Sequence, residues 1–382
     1  MANLLLTGGR APATLELARL MRAAGHRVVM AESAALHLTQ PSAAIQRHYR
    51  VPAPRQAPAA FGAALLRICA AENIDLVIPT CEEVFYVAQI HDRLPGRVFG
   101  EPLERLRPLH SKWDFVQRAR RYGLSVPATR LLTSTAERDA VLPEAGDLVF
   151  KPVYSRFAAK TVIRPTRAQA EAVLPSPQNP WVAQAFIPGR QFCSYSLAHA
   201  GRLAAHTVYL TEFTAGQGST IAFQHHPHAA IQRWVEQFVA QEQFTGQIAF
   251  DFIESAAGQV TALECNPRTT SGLHLLAAEP GLAQAFLACP EQPITPAAGA
   301  RPQLLALAMW VYGLPALRTP ARFRRWAELM RAGRDVIFRL NDPLPALWQW
   351  VGLGYFLGQS WRRRITPLEA STYDIEWNGP AA

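Results

Sequence analysis

Three side chains, Asp251, Glu264 and Asn266, have the types and spacing to hold a hard divalent cation. They lie on two strand-like runs, 246–253 and 260–268, joined through the short turn 256–259. Side chains alternate along a strand, so Glu264 and Asn266 share one face, Cys265 points the other way, and Asp251 on the partner strand can join the pair. Two carboxylates and an amide oxygen suit magnesium that keeps water and nucleotide phosphates as its remaining ligands.

The basic residues point the same way. Of 38 lysines and arginines only three are lysines, Lys112, Lys151 and Lys160, all within one 49-residue window. Where a generic surface cation serves, this chain uses arginine. The positions that keep lysine are therefore candidates for a compact, rotatable ammonium among phosphate oxygens, where a planar guanidinium fork is differently directed. Ser111 is a natural N-cap for a helix starting at Lys112, which places that ammonium in the first turn. Lys151 sits inside the apolar run Leu148-Val-Phe-Lys-Pro-Val153. A buried lysine there is expensive unless an anion meets it, and the competing reading is a solvated edge strand, which Pro152 favours. Lys160 ends a loop, Tyr154-Ser-Arg-Phe-Ala-Ala-Lys160, whose basic residues could close over phosphates.

Composition bounds the class. A chain of 382 residues, 49% apolar and 18% charged, is long enough for two or three folded domains and is not a disordered protein. Its formal charge of +9 is carried by scattered arginines, which fits a basic surface or an anionic substrate, and no nucleic-acid motif is present. Five cysteines, never in C-x-x-C spacing, read as free thiols of a cytoplasmic protein. The start of the chain lacks signal-peptide character, and the apolar run 304–317 is too short to span a bilayer.

The elements that must carry these residues begin with a βα alternation. Strands are predicted at Leu4–Thr7, Val28–Ala31, Leu76–Pro79 and Val98, with helices over Thr14–Ala24, Ala59–Ala71 and Glu82–Arg93. This pattern predicts an α/β, doubly wound parallel sheet with ligands near Thr7-Gly-Gly-Arg10 and Thr80-Cys-Glu-Glu83. A dinucleotide-binding dehydrogenase is the rival reading, with Glu32 as ribose-binding acid. The turn Gly8-Gly-Arg-Ala-Pro-Ala13 keeps only the first glycine of that fingerprint.

Taken together, these residues resemble the ATP-grasp superfamily over about residues 1–290, most closely its carbamoyl-phosphate-synthase-like and biotin-carboxylase-like members. The resemblance rests on the Thr-Gly-Gly-Arg start, Ser111-Lys-Trp-Asp-Phe115, the Phe-Lys-Pro strand, Gln184-Ala-Phe-Ile-Pro-Gly189, and Asp251-Phe-Ile with Leu263-Glu-Cys-Asn-Pro-Arg-Thr-Thr-Ser-Gly272. It implies an N-terminal pre-ATP-grasp domain over 1–106, an ATP-grasp domain over 107–290 with a lid at about 125–190, and a C-terminal accessory region over 291–382. It further implies that Lys112 and Lys151 contact ATP phosphates and that the backbone of Gln184, Ala185, Phe186 and Ile187 reads the adenine edge. Asp251, Glu264 and Asn266 would hold Mg2+, with Mn2+ as the alternative ion, and Arg268 would face the transferred phosphate or the substrate. Two departures stand out. No glycine occurs between Gly146 and Gly189; the loop offers Ser155, Arg156 and Lys160 instead, so either Arg156 or Lys160 substitutes for a glycine-rich phosphate loop or ATP handling is weakened, and Gln191 stands where a ribose-binding acid is usual.

Other features read more plainly. His225, His226 and His228 match no zinc spacing, and the loop 214–220 has the composition of an ordinary surface turn. One of Glu82 and Glu83 could bind an amine while the other favours a helix start. The stretch Pro290 to Pro302 reads as a linker. Beyond it lie six of the nine tryptophans among many arginines, predicted to pack on the ATP domain, with contact to a membrane surface or a carrier protein as the competing role.

The activity these readings predict is ATP-dependent carboxylate–amine ligation through an acyl phosphate. Its substrates are a small-molecule carboxylate and an amine, and a homodimer is compatible with it. The alternatives are a non-catalytic ATP-binding relative, a kinase or carboxylase of the same superfamily, and last the dehydrogenase.

Overall fold

The computed structural model describes residues 1–155, 160–216 and 218–379. It begins with five parallel strands, β1 (Asn3–Thr7), β2 (Arg27–Glu32), β3 (Arg47–Arg50), β4 (Leu76–Ile78) and β5 (Arg97–Val98), in the order β3-β2-β1-β4-β5. Leu4, Leu5 and Leu6 are all fully buried, as expected of a central strand covered by helices on both faces. The first two helices, Pro12–Ala23 and Pro58–Ala71, each open on a proline, whose missing N–H sits where a helix has no partner for it. Connections leave β1 and β4 in opposite directions, so their carboxyl ends form the switch point where such sheets take ligands. The helix predicted over 82–93 is shorter, Val84–Ala88 followed by a turn at His91–Arg93. Glu83 explains the late start: its Oε1 accepts from the Thr7 hydroxyl at 2.6 Å and from the amides of Thr80 and Cys81 at 3.1 and 3.0 Å, which fixes residues 80–83 as a turn.

A second sheet is antiparallel, with β6 (Thr129–Leu132), β7 (Leu148–Pro152), β8 (Val162–Ile163) and β9 (Trp181–Ala185) in the order β6-β9-β7-β8. Its own small core includes Leu132, Phe150, Trp181 and Ala183. The edge-strand reading of β7 is overturned. β9 pairs along its whole length, while β8 reaches only Val149 and Phe150, so Pro152 lies past the end of that ladder and Lys151 is buried.

The third sheet is central to the site. Strands β10 (Arg190–His199) and β11 (Arg202–Leu210) are followed by three short ones, β12 (Thr214–Ala215), β13 (Ser219–Thr220) and β14 (Ala222–Phe223). Then β15 (Gly246–Glu254) and β16 (Val260–Asn266) complete the order β11-β10-β15-β16. Helix Ala229–Glu242, started by the His228 side chain accepting from the Ile231 amide, lays Trp234 and Phe238 against Phe250. Apolar burial of such large rings is the main force holding this layer.

The C-terminal part adds β17 (Gln303–Leu304) and β18 (Arg334–Asp335) beside β14, and the helices Pro320–Ala332 and Leu344–Arg363. Residues 290–302 are not a free linker, because Ile294 bridges to β11, donating its N–H to Ala204 and accepting from His206. The tryptophans divide: Trp326 and Trp377 are buried, whereas Trp310, Trp350 and Trp361 are exposed. Trp377 stacks on Phe85 at 5.0 Å and meets Tyr154 edge-on.

Trp377 belongs to a segment, residues 371–377, that crosses the carboxyl end of the first sheet. Arg10 donates to Glu32 Oε1 at 2.5 Å and to Asp374 Oδ1 at 2.6 Å, and Ser33 donates to Asp374 at 2.7 Å. Removing the guanidinium leaves Glu32 buried without its counter-charge. Arg10→Ala should therefore cost about 3–5 kcal/mol in denaturant unfolding. Arg55→Ala, which breaks the more exposed Arg55–Glu376 pair, should cost about 0–1 kcal/mol. Equal effects would show that the buried pair carries no special weight.

Candidate active site

A cavity of about 760 Å³ opens between the three sheets. Arg10, Thr80 and Cys81 from the first sheet, Lys151 and Gln184 from the second, and Asp251, Glu264 and Asn266 from the third all line it. The C-terminal region supplies further wall through Leu305, Phe356 and Thr372.

The β15–β16 ladder sets the acidic side. Asp251 lies directly opposite Glu264, and the register then slips so that Phe252 faces Ala262, leaving Leu263 bulged. That bulge turns the Leu263 carbonyl toward Lys151, whose Nζ donates to it at 3.3 Å. Lys112 opens the helix Lys112–Arg121, capped by Ser111 as predicted. Its Nζ donates to the Ser155 carbonyl at 3.1 Å and stands 3.5 Å from Glu264 Oε2. One glutamate therefore faces ammonium groups brought by two different elements.

The charges follow from that geometry. Burial pulls the Lys151 ammonium down to about 8, Lys112 adds to the fall, and Glu264 and Asp251 oppose it. Burial would raise Glu264, but Lys112 and Lys151 more than compensate and hold it below the usual carboxylate range. Asp251 goes the other way, raised by burial and by the charge of Glu264. Two opposed, half-buried carboxylates, of which one resists ionising, are a pair on which a divalent cation could replace the proton. Among the described residues no group of three or more His, Cys, Asp or Glu is placed to hold a metal. Asp251 and Glu264, with the Asn266 amide oxygen nearby, are hard oxygen donors of the kind that suits magnesium.

Asn266 is already engaged. Its Oδ1 accepts from Arg268 Nη2 at 3.0 Å, and Arg268 Nη1 donates to the Thr269 carbonyl at 3.3 Å. Arg268 Nε is buried without a hydrogen-bond partner, 3.9 Å from Glu82 Oε1. A desolvated donor of this kind is costly in isolation and is met naturally by an anionic oxygen in the cavity.

The remaining predicted residues are placed unevenly. Ser155, Gln184, Ala185, Phe186, Ile187 and Gln191 line the cavity. The Ala185 and Phe186 amides already donate to Ala128 and Asp147 at 2.8 Å, so those two do not remain for a base edge. Lys160 is a correction: it is exposed, is not part of the cavity wall, and acts on Glu369. Arg156 lies outside the described residues. Glu83 is occupied in holding the β1 and β4 ends together, while Glu82 faces Arg268 and accepts the Trp377 amide at 3.2 Å. Glu32, the ribose-binding acid of the dehydrogenase reading, is instead buried against Arg10. The histidines disperse: His225 pairs with Thr207 and His228 with Glu254.

Sequence reasoning missed three contributors. Cys193, opposite Asp251 on β10, donates its thiol to Asp251 Oδ1 at 3.0 Å; only knowledge of the strand pairing exposes it. The loop 214–220, read as an ordinary turn, brings Ser219 and Thr220 to the cavity. Phe356, far along the chain, closes one side and carries no local signal.

A parallel sheet is thus joined to two antiparallel sheets around a lysine- and carboxylate-lined cavity. Residues 109–272 match the ATP-grasp domain family, so the chain carries an ATP-grasp domain. The chain is similar in fold to L-amino acid ligase from Bacillus licheniformis, with 16% identity, TM-score 0.61, and 73% of this chain and 70% of that one covered. It is likewise similar to N5-carboxyaminoimidazole synthetase from Staphylococcus aureus complexed with ADP, at 12% identity and TM-score 0.64 over 86% and 87% of the two chains. Biotin carboxylase from Campylobacter jejuni shares 12% identity and a TM-score of 0.60 over 77% and 72%. No curated protein matches the chain significantly by sequence.

The opposed carboxylates have a pH signature. Because the folded state holds the Asp251 proton above its ordinary pKa, metal-free stability should fall as pH rises from about 4 toward neutrality. Asp251→Asn should lose that component of the pH dependence, read from unfolding temperature across the range. Parallel curves for the two proteins would overturn the assigned coupling.

Proposed function

We propose that this protein uses MgATP to phosphorylate a substrate carboxylate and then lets an amine displace the phosphate, releasing ADP and inorganic phosphate. The observation that carries the reading is the meeting, in one cavity, of the Lys112 and Lys151 ammonium groups, the Asp251–Glu264 pair and the Arg268 guanidinium. Magnesium bound at Asp251 and Glu264, with Asn266 near, would offset charge on the transferring phosphoryl group. Lys112 and Lys151 would hold phosphate oxygens, and Arg268 would orient the acceptor carboxylate and stabilise the oxyanion that develops as the amine attacks. Direct attack of an amine on a carboxylate fails because oxide is a poor leaving group; the acyl phosphate supplies a good one.

No side-chain nucleophile is required. Cys193, the thiol beside the acids, is held well above its ordinary pKa by burial and by Asp251, so it remains a hydrogen-bond donor to that carboxylate. Among the similar folds, an amino acid ligase favours an amine as acceptor, and the ADP complex of the carboxyaminoimidazole synthetase favours nucleotide in the corresponding cavity.

The test is ADP release by the purified protein with magnesium across a matrix of acids and amines. Release that needs both substrates supports ligation, whereas turnover with bicarbonate alone as the acid moves the assignment to a carboxylase and ATP binding without turnover under any mixture removes catalysis. In the active combination, Lys151→Ala should lower turnover by roughly 10²–10³-fold. Since the free-enzyme ammonium of Lys151 titrates near 8, kcat/KM for ATP should fall above that pH, and Lys151→Arg should shift the break upward. An unchanged profile would remove Lys151 from phosphate binding.

A further inference from the structure

The helix Leu344–Arg363 turns a stripe of large apolar residues to solvent. Leu344, Leu347, Trp350, Leu353, Leu357 and Trp361 recur at three- and four-residue intervals and are 53, 69, 60, 45, 54 and 83% exposed. The side turned to the protein has Pro345 and Gly352 buried and Trp348, Tyr355 and Phe356 partly buried, so the helix is apolar on both sides. The outward side of a surface helix in a globular protein is ordinarily polar. All the exposed large hydrophobic side chains among the described residues, apart from Met1, Ile163 and Leu174, fall between 310 and 368. An apolar surface this concentrated marks a docking face.

Charge selects the occupant. No Asp or Glu occurs between Asp342 and Glu369, and the helix ends in Arg362 and Arg363 with Arg364 as its left-handed cap, all three exposed. Leucines and tryptophans facing outward beside an arginine cluster match the headgroup boundary of an anionic bilayer. There indole rings sit at the interface and arginines meet lipid phosphates. A second copy of this chain would bring the same arginines and no acid from the same segment. No helix among the described residues is long and apolar enough to cross a membrane, so this one would lie along the surface. Phe356 on the same helix lines the active-site cavity, with the Arg10 guanidinium 5.8 Å from its ring centre.

We propose that the helix Leu344–Arg363 is a membrane-surface docking element that recognises anionic lipid headgroups, an inference independent of the reaction assigned above. The experiment is co-sedimentation of the full chain with extruded phosphatidylcholine vesicles, with and without phosphatidylglycerol. The comparison proteins are Leu347→Ser/Trp350→Ser/Trp361→Ser and Arg362→Ser/Arg363→Ser/Arg364→Ser. Since the substituted side chains are exposed, unchanged unfolding temperatures serve as the folding control. Wild type should bind the phosphatidylglycerol vesicles with a blue-shifted tryptophan emission and release in high salt, and each triple variant should bind roughly tenfold or more weakly. The proposal is overturned by no wild-type binding, by variants that bind as well, or by equal binding to neutral vesicles. A wild-type dimer in lipid-free solution that the Leu/Trp variant converts to monomer would also overturn it, by assigning the face to self-association.

Discussion

Two ammonium groups and two carboxylates share one buried cavity, and their mutual compensation is the condition on which the three sheets can meet. Lys151 comes from the second sheet, Lys112 from the helix that follows the first, and Asp251 with Glu264 from the third. The two lysines are buried and the two carboxylates half-buried, so the ammonium groups in particular need opposing charge. Glu264 is the hub, since both lysines pull on it and it in turn raises Asp251.

The first sheet contributes a wall and little chemistry. Its switch point is built for close approach: a side chain at Gly8, whose φ is +75°, would meet Thr80 Oγ1 at 2.6 Å. The crevice such turns usually offer to a dinucleotide is instead taken by residues 371–377 of the same chain, through Asp374 and Trp377. The motif of a nucleotide-binding turn survives here as a seat for protein.

How much of this was legible depended on whether a residue's role is local. The β15–β16 hairpin and its shared face could be read because alternation and a turn specify them, and the lysines stood out because so few remain. The edge strand β3 could not, since Arg47-His-Tyr-Arg50 has no apolar alternation and its Arg47 and Tyr49 side chains are held by Glu72 from another element. Lys160 shows the opposite failure: its composition argued for the site, but the chain turns it outward. Cys193, Glu83 and Phe356 act through contacts made across strands or across hundreds of residues, which no window of sequence displays. The outward apolar stripe of the helix Leu344–Arg363 was visible as tryptophans and arginines, yet which side would face the protein was a tertiary fact.

The Arg10–Asp374 contact joins residues 364 positions apart. At translation rates of about 5–20 residues per second, Arg10 leaves the ribosome roughly 20–70 s before its partner exists. Throughout that interval the Arg10 guanidinium has Glu32 alone opposite it, and the seat for residues 371–377 is without its occupant. The part of the cavity wall that Thr372 and Ile375 supply is therefore completed only after that segment is made, a closure of high contact order.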